Sequence, residues 1–374
     1  MTTARKQLVD PTTSGVYHCI SRCVRRAYLC GENWSHRKDA IKQRLMVLTD
    51  AFAIDVGGYA ILDNHFHTVL RTHPERVSTW TPHEVAERWS RIFPKSIVRW
   101  AREHLSFRAA DPGERAACRR LNLTAAVNIV ATDEIRIATL RERLSSLSWF
   151  MKCLKEWIAC VANREDGCRG HFFEARFKSL RVLGSLALLS TLIYVDLNVV
   201  RALKASTPES SDYTSAQDRI HVREIHETRL GLRRRASKQA TDLQHRMMRA
   251  TKRTSLVATR GQGESTPEDN IWLAPIDATR HVDGLLDMDL DGYLTLLDAS
   301  GRLVRRGNQG VIAAEVPPIL ARLQVEADQW GDAVAAAGEL IGTVIGGSRQ
   351  DREAEAQRRG NQWVSGARMP RQKR

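Results

Sequence analysis

The stretch Tyr59-Ala-Ile-Leu-Asp-Asn-His-Phe-His-Thr-Val-Leu70 constrains the fold more than any other part of the 374-residue chain. Its apolar residues alternate as on a half-buried strand: Tyr59 and Ile61, then, past a turn at Asp63-Asn64, Phe66, Val69 and Leu70. Residues two apart on a strand project from the same face. His65 and His67 therefore present two imidazoles side by side from one rigid surface. Neutral imidazole is a common ligand for a divalent ion. Two histidines sharing a solvated sheet face give the same His-x-His pattern, so the surrounding chain has to decide between the two.

Upstream, Val16-Tyr-His-Cys-Ile-Ser-Arg22 is rich in β-formers and predicts a first strand. Cys23 to Gly31 forms a short basic connection carrying Arg25 and Arg26. Ile41, Leu45, Leu48 and Phe52 make one apolar stripe and predict a helix over about 35–52. A second strand follows over 52–62, with a bulge or bend at Gly57-Gly58. The turn at Asp63-Asn64 leads into a third strand over 65–71. Strand, helix, strand, hairpin, strand suits an α+β domain with an antiparallel sheet and helices on one face.

Residues 74–143 form a helical insert. Thr81-Pro-His-Glu84 is a capping box with proline at the first helical position. Trp89, Phe93 and Trp100 in this insert are core or cover residues rather than a base-stacking platform. Next comes one long helix over 133–163, with a seam of Leu140, Leu144, Leu147, Met151, Leu154, Ile158 and Val161 facing the sheet. Lys152, Glu156, Cys160 and Asn163 share its flank. A strand with basic side chains is expected over 171–182. Ser185 then caps a helix running through Leu189 and Ile193 to Asn198-Val-Val-Arg201.

Past this first unit, residues 1–203, the composition changes. Residues 204–270 comprise a polar connection, a strongly basic helix over 219–253 that includes Arg233, Arg234, Arg235, Arg246, Arg249, Lys252 and Arg253, and a second linker. That helix is either a solvated cationic face or a phosphate-backbone contact. Residues 271–350 are apolar enough for a small accessory domain, with turns at Asp291-Gly292 and Ser300-Gly301 and helices from about Pro317. Residues 351–374 are a charged tail, expected to be mobile.

The net charge of +14 and a pI near 9.8 suit a polyanionic partner, above all nucleic acid. No run approaches the roughly 20 apolar residues of a membrane span, so no membrane partner is expected. Met1-Thr-Thr-Ala-Arg-Lys-Gln7 lacks the apolar core of a secretory signal. Seven cysteines, with no C-x-x-C pair, fit reduced thiols and a cytoplasmic location. Cys160, Cys168 and His171 are spaced unlike a structural zinc site.

Four stretches carry a resemblance: Tyr17-His-Cys-Ile-Ser-Arg22, Asn64-His-Phe-His67, Gly170-His-Phe-Phe-Glu-Ala-Arg-Phe-Lys178 and Tyr194-Val-Asp-Leu-Asn-Val-Val-Arg201. In this order, over residues 14–203, they resemble the single-tyrosine HUH transposases, the group that includes REP-associated tyrosine transposases. The resemblance implies a ferredoxin-like antiparallel sheet with helices on one face, the HUH fold, here with the helical insert and a basic, mainly helical C-terminal extension. It implies a divalent ion, Mg²⁺ or Mn²⁺, on His65 and His67, with a third ligand from the later helix, for which Glu156 and then Asn163 are the candidates. The same ion would polarise a phosphodiester of single-stranded or hairpin DNA. Arg22, Arg176, Lys178 and Arg201 are the expected phosphate contacts, and a homodimer is expected on the same ground.

In such enzymes a tyrosine on the helix attacks the DNA, leaving a 5′-phosphotyrosine and a free 3′-hydroxyl. Here the corresponding window, Glu156 to Asn163, holds no tyrosine, and Asn198-Val-Val-Arg201 lacks the motif's usual proline. Tyr17, Tyr59 and Tyr194 fall in packing positions, which leaves Tyr213, in a loop, as the tyrosine free to reach a site. Cys160 reads as an inert thiol. Three functions stay open: DNA cleavage with strand transfer, a metal-dependent endonuclease without a covalent intermediate, and a non-catalytic nucleic-acid-binding protein.

Overall fold

The computed structural model describes residues 8–108, 121–226, 228, 271–303, 334, 343–361 and 363–367. The basic positions Arg233 to Arg253 and the helices expected from Pro317 lie outside the described residues.

Alternating β-formers give β1 (Gly15–Arg22), β2 (Ile54–Ile61) and β3 (His65–Thr72) at the places expected. The β2–β3 register shifts between Val56 and Gly58, the bulge that the paired glycines predict. Between β1 and β2 lies α1 (His36–Ala51), which buries Ile41, Leu45, Leu48 and Ala51 as one stripe. The fourth strand, β4 (Lys178–Leu183), pairs with β1. Strand order is β2-β3-β1-β4, all antiparallel, in a β-α-β-β-α-β succession. Two short strands, β5 (Val344–Gly346) and β6 (Gly366–Ala367), add in parallel beyond β4. The sheet is therefore mixed rather than purely antiparallel, within an α+β architecture.

The insert carries α2 (Pro82–Ile92), opened by the Thr81–Glu84 capping box, then α3 (Pro94–Arg108) and α4 (Leu123–Ala131). The single long helix expected over 133–163 is two helices, α5 (Glu134–Ser145) and α6 (Leu147–Glu165). Ser146 breaks the run: its backbone is extended, and its hydroxyl accepts from Trp149 N–H as the cap of α6. The basic strand starts at Lys178, not 171. Residues before it are irregular, tied to the end of β1 by the Glu174 N–H to Arg22 carbonyl bond and, just past it, by the bridge Cys23–Phe173.

Helices cover both faces of the sheet, which corrects the one-face expectation. On one face Tyr17, Cys19, Tyr59, Ile61, Phe66 and Leu70 pack with α1 and with Leu154 and Ile158 of α6. On the other, Ile20, Ala60, Val69, Leu180 and Val182 pack with Leu186, Leu189, Leu192 and Ile193 of α7 (Ser185–Asp196). Each such aliphatic side chain contributes about 1.5–3 kcal/mol on burial. Gly184, at φ 83, is the N-cap residue of α7, and no side chain caps the helix. A single turn, Asn198–Arg201, extends α7.

Helix α7 is buried all round because its outer side is covered too. The cover is α8 (Leu290–Leu303), whose Tyr293, Leu296, Leu297 and Ser300 recur at helical spacing. That spacing outvotes Gly292 and Gly301, so no turns form at Asp291-Gly292 or Ser300-Gly301. Asp196, fully buried, accepts from Tyr293 Oη at 2.5 Å, from Ala216 N–H at 3.0 Å and from Ser215 Oγ. The described residues of 271–303 thus share a core with the sheet. Within the charged tail, α9 (Arg349–Arg358) opens on a Ser348–Asp351 capping box and buries Glu355 against Arg358, Arg359 and Arg181. No helix among the described residues is long and apolar enough to cross a membrane.

Candidate functional site

The β1–β3 register sets Arg22 opposite His65 and Ile20 opposite His67. Directly opposed residues on paired strands share a face, so His18, Arg22, His65 and His67 all project toward α7. His67 and His18 are buried there; His65 is half-buried. His18 Nε2 lies 2.9 Å from His67 Nδ1, with the two rings stacked at 5.2 Å. The His65 and His67 rings are 5.0 Å apart, edge to face.

Asn64 fixes the tautomer of His65. Its amide N–H₂ donates to the Arg26 carbonyl at 3.1 Å, which turns Oδ1 toward His65 Nδ1 at 2.7 Å. An amide oxygen only accepts, so His65 carries its proton on Nδ1 and leaves the Nε2 lone pair bare. The carbonyl that holds Asn64 belongs to an unusual loop. Arg25 and Arg26 have φ of 54° and 56°, left-handed values that non-glycine residues rarely adopt. Both arginines are exposed beside the site.

The histidines are neutral near pH 7. Burial, then the charge of Arg22, lowers His65 to about 4. Burial and the neighbouring His18, His65 and Arg22 hold His67 well below the ordinary imidazole value. Burial and Lys178 take His18 down to about 3. Neutral imidazole is the form that ligates a metal. His67 Nε2 is moreover a buried polar atom without a hydrogen-bond partner. The residues present therefore fit a divalent ion held through the Nε2 atoms of His65 and His67.

Across from the imidazoles, Tyr194, Asn198 and Arg201 fall on one stripe of α7 and its extension. The Tyr194 ring lies edge-on to His67 at 5.7 Å and to His18 at 6.0 Å. Arg201 Cζ sits 5.0 Å from the Tyr194 ring. Arg201 Nε and Nη2 and Asn198 Nδ2 are buried without partners. Sequence reasoning placed Tyr194 among packing residues and did not single out His18 or Asn198. The available signal was three side chains able to contact an anion, four and then three apart on a largely apolar helix.

Other sequence candidates go elsewhere. Glu156 projects from α6, which covers the opposite sheet face; it is 62% exposed, with Lys152 Nζ 3.8 Å away. Asn163 donates to the Gly170 carbonyl at 2.9 Å. Neither joins the imidazoles. Tyr213 donates to Asp39 at 3.2 Å and packs with the core on the α6 side. Tyr59 donates to Asp218 at 2.8 Å, and Tyr17 is fully buried. Lys178 is exposed at the start of β4, opposite Ile20, and Arg176 is exposed just before it. Cys160 and Cys168 are exposed and make no ligand group with His171 among the described residues.

Among the described residues one group brings three ligand-type side chains within 4.8 Å: Asp55, His73 and Asp283. Its carboxylates are already engaged. Asp55 accepts from Arg76 at 2.7 Å, His73 at 2.8 Å and Arg71 at 2.9 Å, and Asp283 pairs with Arg76 at 2.6 Å. A metal there would have to displace guanidinium groups.

No protein-family model matches the chain, and no curated protein sequence matches it. Among solved structures, a REP-associated tyrosine transposase bound to a REP hairpin is similar at a TM-score of 0.34 and 8% identity, covering 59% of this chain and 86% of that one.

Proposed function

We propose that this protein acts on single-stranded or hairpin DNA, cleaving a phosphodiester with the help of a divalent ion on His65 and His67 and transferring the strand. What carries the reading is convergence on one sheet face. Two neutral imidazoles with free Nε2 atoms lie beside a tyrosine and an arginine whose buried N–H groups have no partner. The HUH motifs of the sequence and the charge of +14 point the same way.

An ion so bound supplies Lewis-acid polarisation of the phosphate. With imidazole donors and no carboxylate beside them, Mn²⁺ suits the site better than Mg²⁺, which demands oxygen ligands. Arg201 takes a non-bridging phosphate oxygen. Burial without an anion holds its guanidinium below the ordinary value, and a phosphate relieves that cost. Tyr194 is the nucleophile in place of the absent α6 tyrosine. Its Oη forms a bond to phosphorus as the bond to the 3′ oxygen breaks, and the phenolic proton is lost as the leaving 3′-hydroxyl gains one. Arg22, Lys178, Arg176, Arg25 and Arg26 line the path of the DNA backbone.

One observation favours a second reading: no described carboxylate joins the imidazoles, which suits a chain that binds DNA without cutting it. The full chain, incubated with hairpin DNA and Mn²⁺, separates the two. Cleavage that leaves protein on a 5′ end, lost in Tyr194→Phe and in His65→Ala, supports the first. Cleavage without attachment removes Tyr194 from the role of nucleophile. Salt-sensitive binding with no cleavage under Mn²⁺ or Mg²⁺ supports the second.

A further inference from the structure

We infer that His18 is a positioning residue for the metal site: its Nε2 accepts the Nδ1 proton of His67 and thereby turns the Nε2 lone pair of His67 toward the ion. The inference rests on the reading that His65 and His67 hold that ion.

The geometry leaves two arrangements for the 2.9 Å contact between His18 Nε2 and His67 Nδ1. If His18 donates, His67 carries its proton on Nε2 and cannot ligate. If His67 donates, its Nε2 is bare and points a lone pair outward. Without an ion the two are balanced, since His18 Nδ1 and His67 Nε2 are both buried and unpartnered in either case. Ion binding at His67 Nε2 selects the second arrangement. The same logic already operates at the neighbouring ligand, where Asn64 Oδ1 holds the proton of His65 on Nδ1. Each imidazole thus has its own acceptor behind it, one an amide oxygen and one a second imidazole. A metal-bound histidine is ordinarily oriented in this way through its other ring nitrogen.

Packing does not explain His18. It is fully buried on the face lined by Ile20, Val69, Leu180 and α7, where an aliphatic side chain would remove the unpaired Nδ1 of His18 but strip His67 Nδ1 of its partner, so that the count of unpaired buried nitrogens would not rise. An imidazole there keeps one nitrogen without a partner, which costs stability. A purely structural role predicts that any loss of metal in His18→Leu follows a loss of stability, whereas a positioning role predicts loss of metal without it.

The test is a titration of the full chain with Mn²⁺ alone, read by calorimetry and by loss of the free-ion electron paramagnetic resonance signal, alongside thermal melts. His67→Ala serves as the reference for loss of the site. His18→Leu is expected to weaken Mn²⁺ binding by roughly 10–100-fold while melting, without metal, close to the wild-type temperature. His18→Gln, whose side-chain oxygen can accept from His67 Nδ1–H, is expected to recover most of that affinity. Wild-type affinity in His18→Leu overturns the inference. So does a loss that follows a lowered melting temperature and is not recovered by His18→Gln. If the wild type binds Mn²⁺ no better than His67→Ala, the metal reading itself falls and takes the role of His18 with it.

Discussion

Two clusters on the same sheet place histidine beside other ligand-type atoms, and they differ in what those atoms are free to do. The Asp55–His73–Asp283 cluster has the carboxylates a hard cation prefers, yet Arg71 and Arg76 occupy them. Arg71 also donates to the Gly284 carbonyl at 2.9 Å, so the cluster clamps the 281–286 loop onto β2 and β3. The His18–His65–His67 cluster has no carboxylate, but its Nδ1 atoms on His65 and His67 are engaged and its Nε2 atoms are spare. Closeness of ligand types marks the first cluster, and availability marks the second. A salt-bridge network and a binding site can look alike by proximity alone, and only the hydrogen-bond partners separate them.

The largest expected effect breaks this comparison directly. His67→Ala removes a ligand, so Mn²⁺ affinity should fall by more than the roughly 10–100-fold expected of an orienting residue. The fold should persist at reduced stability, since the loss of a buried imidazole leaves a cavity and an unpartnered His18 Nε2 on one face of the sheet while the core on the other face is untouched. Asp55→Ala should do the reverse. Metal binding should be unchanged, while stability drops by about 3 kcal/mol, as Arg71 loses its carboxylate and Arg76 keeps only Asp283. Calorimetric titration and urea unfolding on the two variants measure both axes. If Asp55→Ala were the variant that lost Mn²⁺, the assignment of the two clusters would be inverted.

Acidity separates the clusters next, because their groups titrate with opposite charge types. Burial lowers His18 to about 3 and His65 to about 4 from an ordinary 6.5. Between 6.5 and those values the unfolded chain takes up protons that the folded chain refuses. Stability should therefore fall as pH drops from 6.5 toward 4, by up to about 1.4 kcal/mol per pH unit for each such histidine. Asp55 behaves otherwise. Burial alone would raise it, but the hydrogen bonds from His73 and Arg76 hold it below its ordinary 3.8. Its contribution is present above 3.8 and is lost as pH falls further. Urea midpoints across the range should show two descending segments. His18→Leu should flatten the upper one only, and Asp55→Asn the lower one only.

How much of this was legible in the sequence follows from how local each signal is. The β2–β3 hairpin, its bulge and the α2 cap are set by residues within a few positions of one another, and each appears where the pattern places it. The α5–α6 break was hidden because Leu140 to Ile158 stays in phase across Ser146, and only the cap geometry reveals it. Helix α8 was hidden by two glycines that tertiary packing against α7 overrides. His18 becomes part of the site only through the β1–β3 register, which joins residues about fifty apart. Glu156 illustrates the hardest case. Its helical flank was read correctly, but periodicity does not state which face of a sheet a helix will cover.

The smallest expected effect sharpens that last point. Glu156→Gln removes the carboxylate that the HUH resemblance nominates as third ligand. On α6 it stands in solvent, facing Lys152 at 3.8 Å with both side chains exposed. Exposed pairs of this kind contribute between zero and about 1 kcal/mol. Its helix shares the core cluster that holds Tyr59, Phe66 and Leu70, whereas the imidazoles face α7 from the other side of β3. Mn²⁺ affinity and any DNA cleavage by Glu156→Gln should therefore equal those of the wild type within a factor of about two, a difference of under 0.5 kcal/mol. A tenfold loss of metal in this variant would require α6 to cross to the imidazole face when the ion binds. The two-faced packing described for the sheet would then hold only for the metal-free chain.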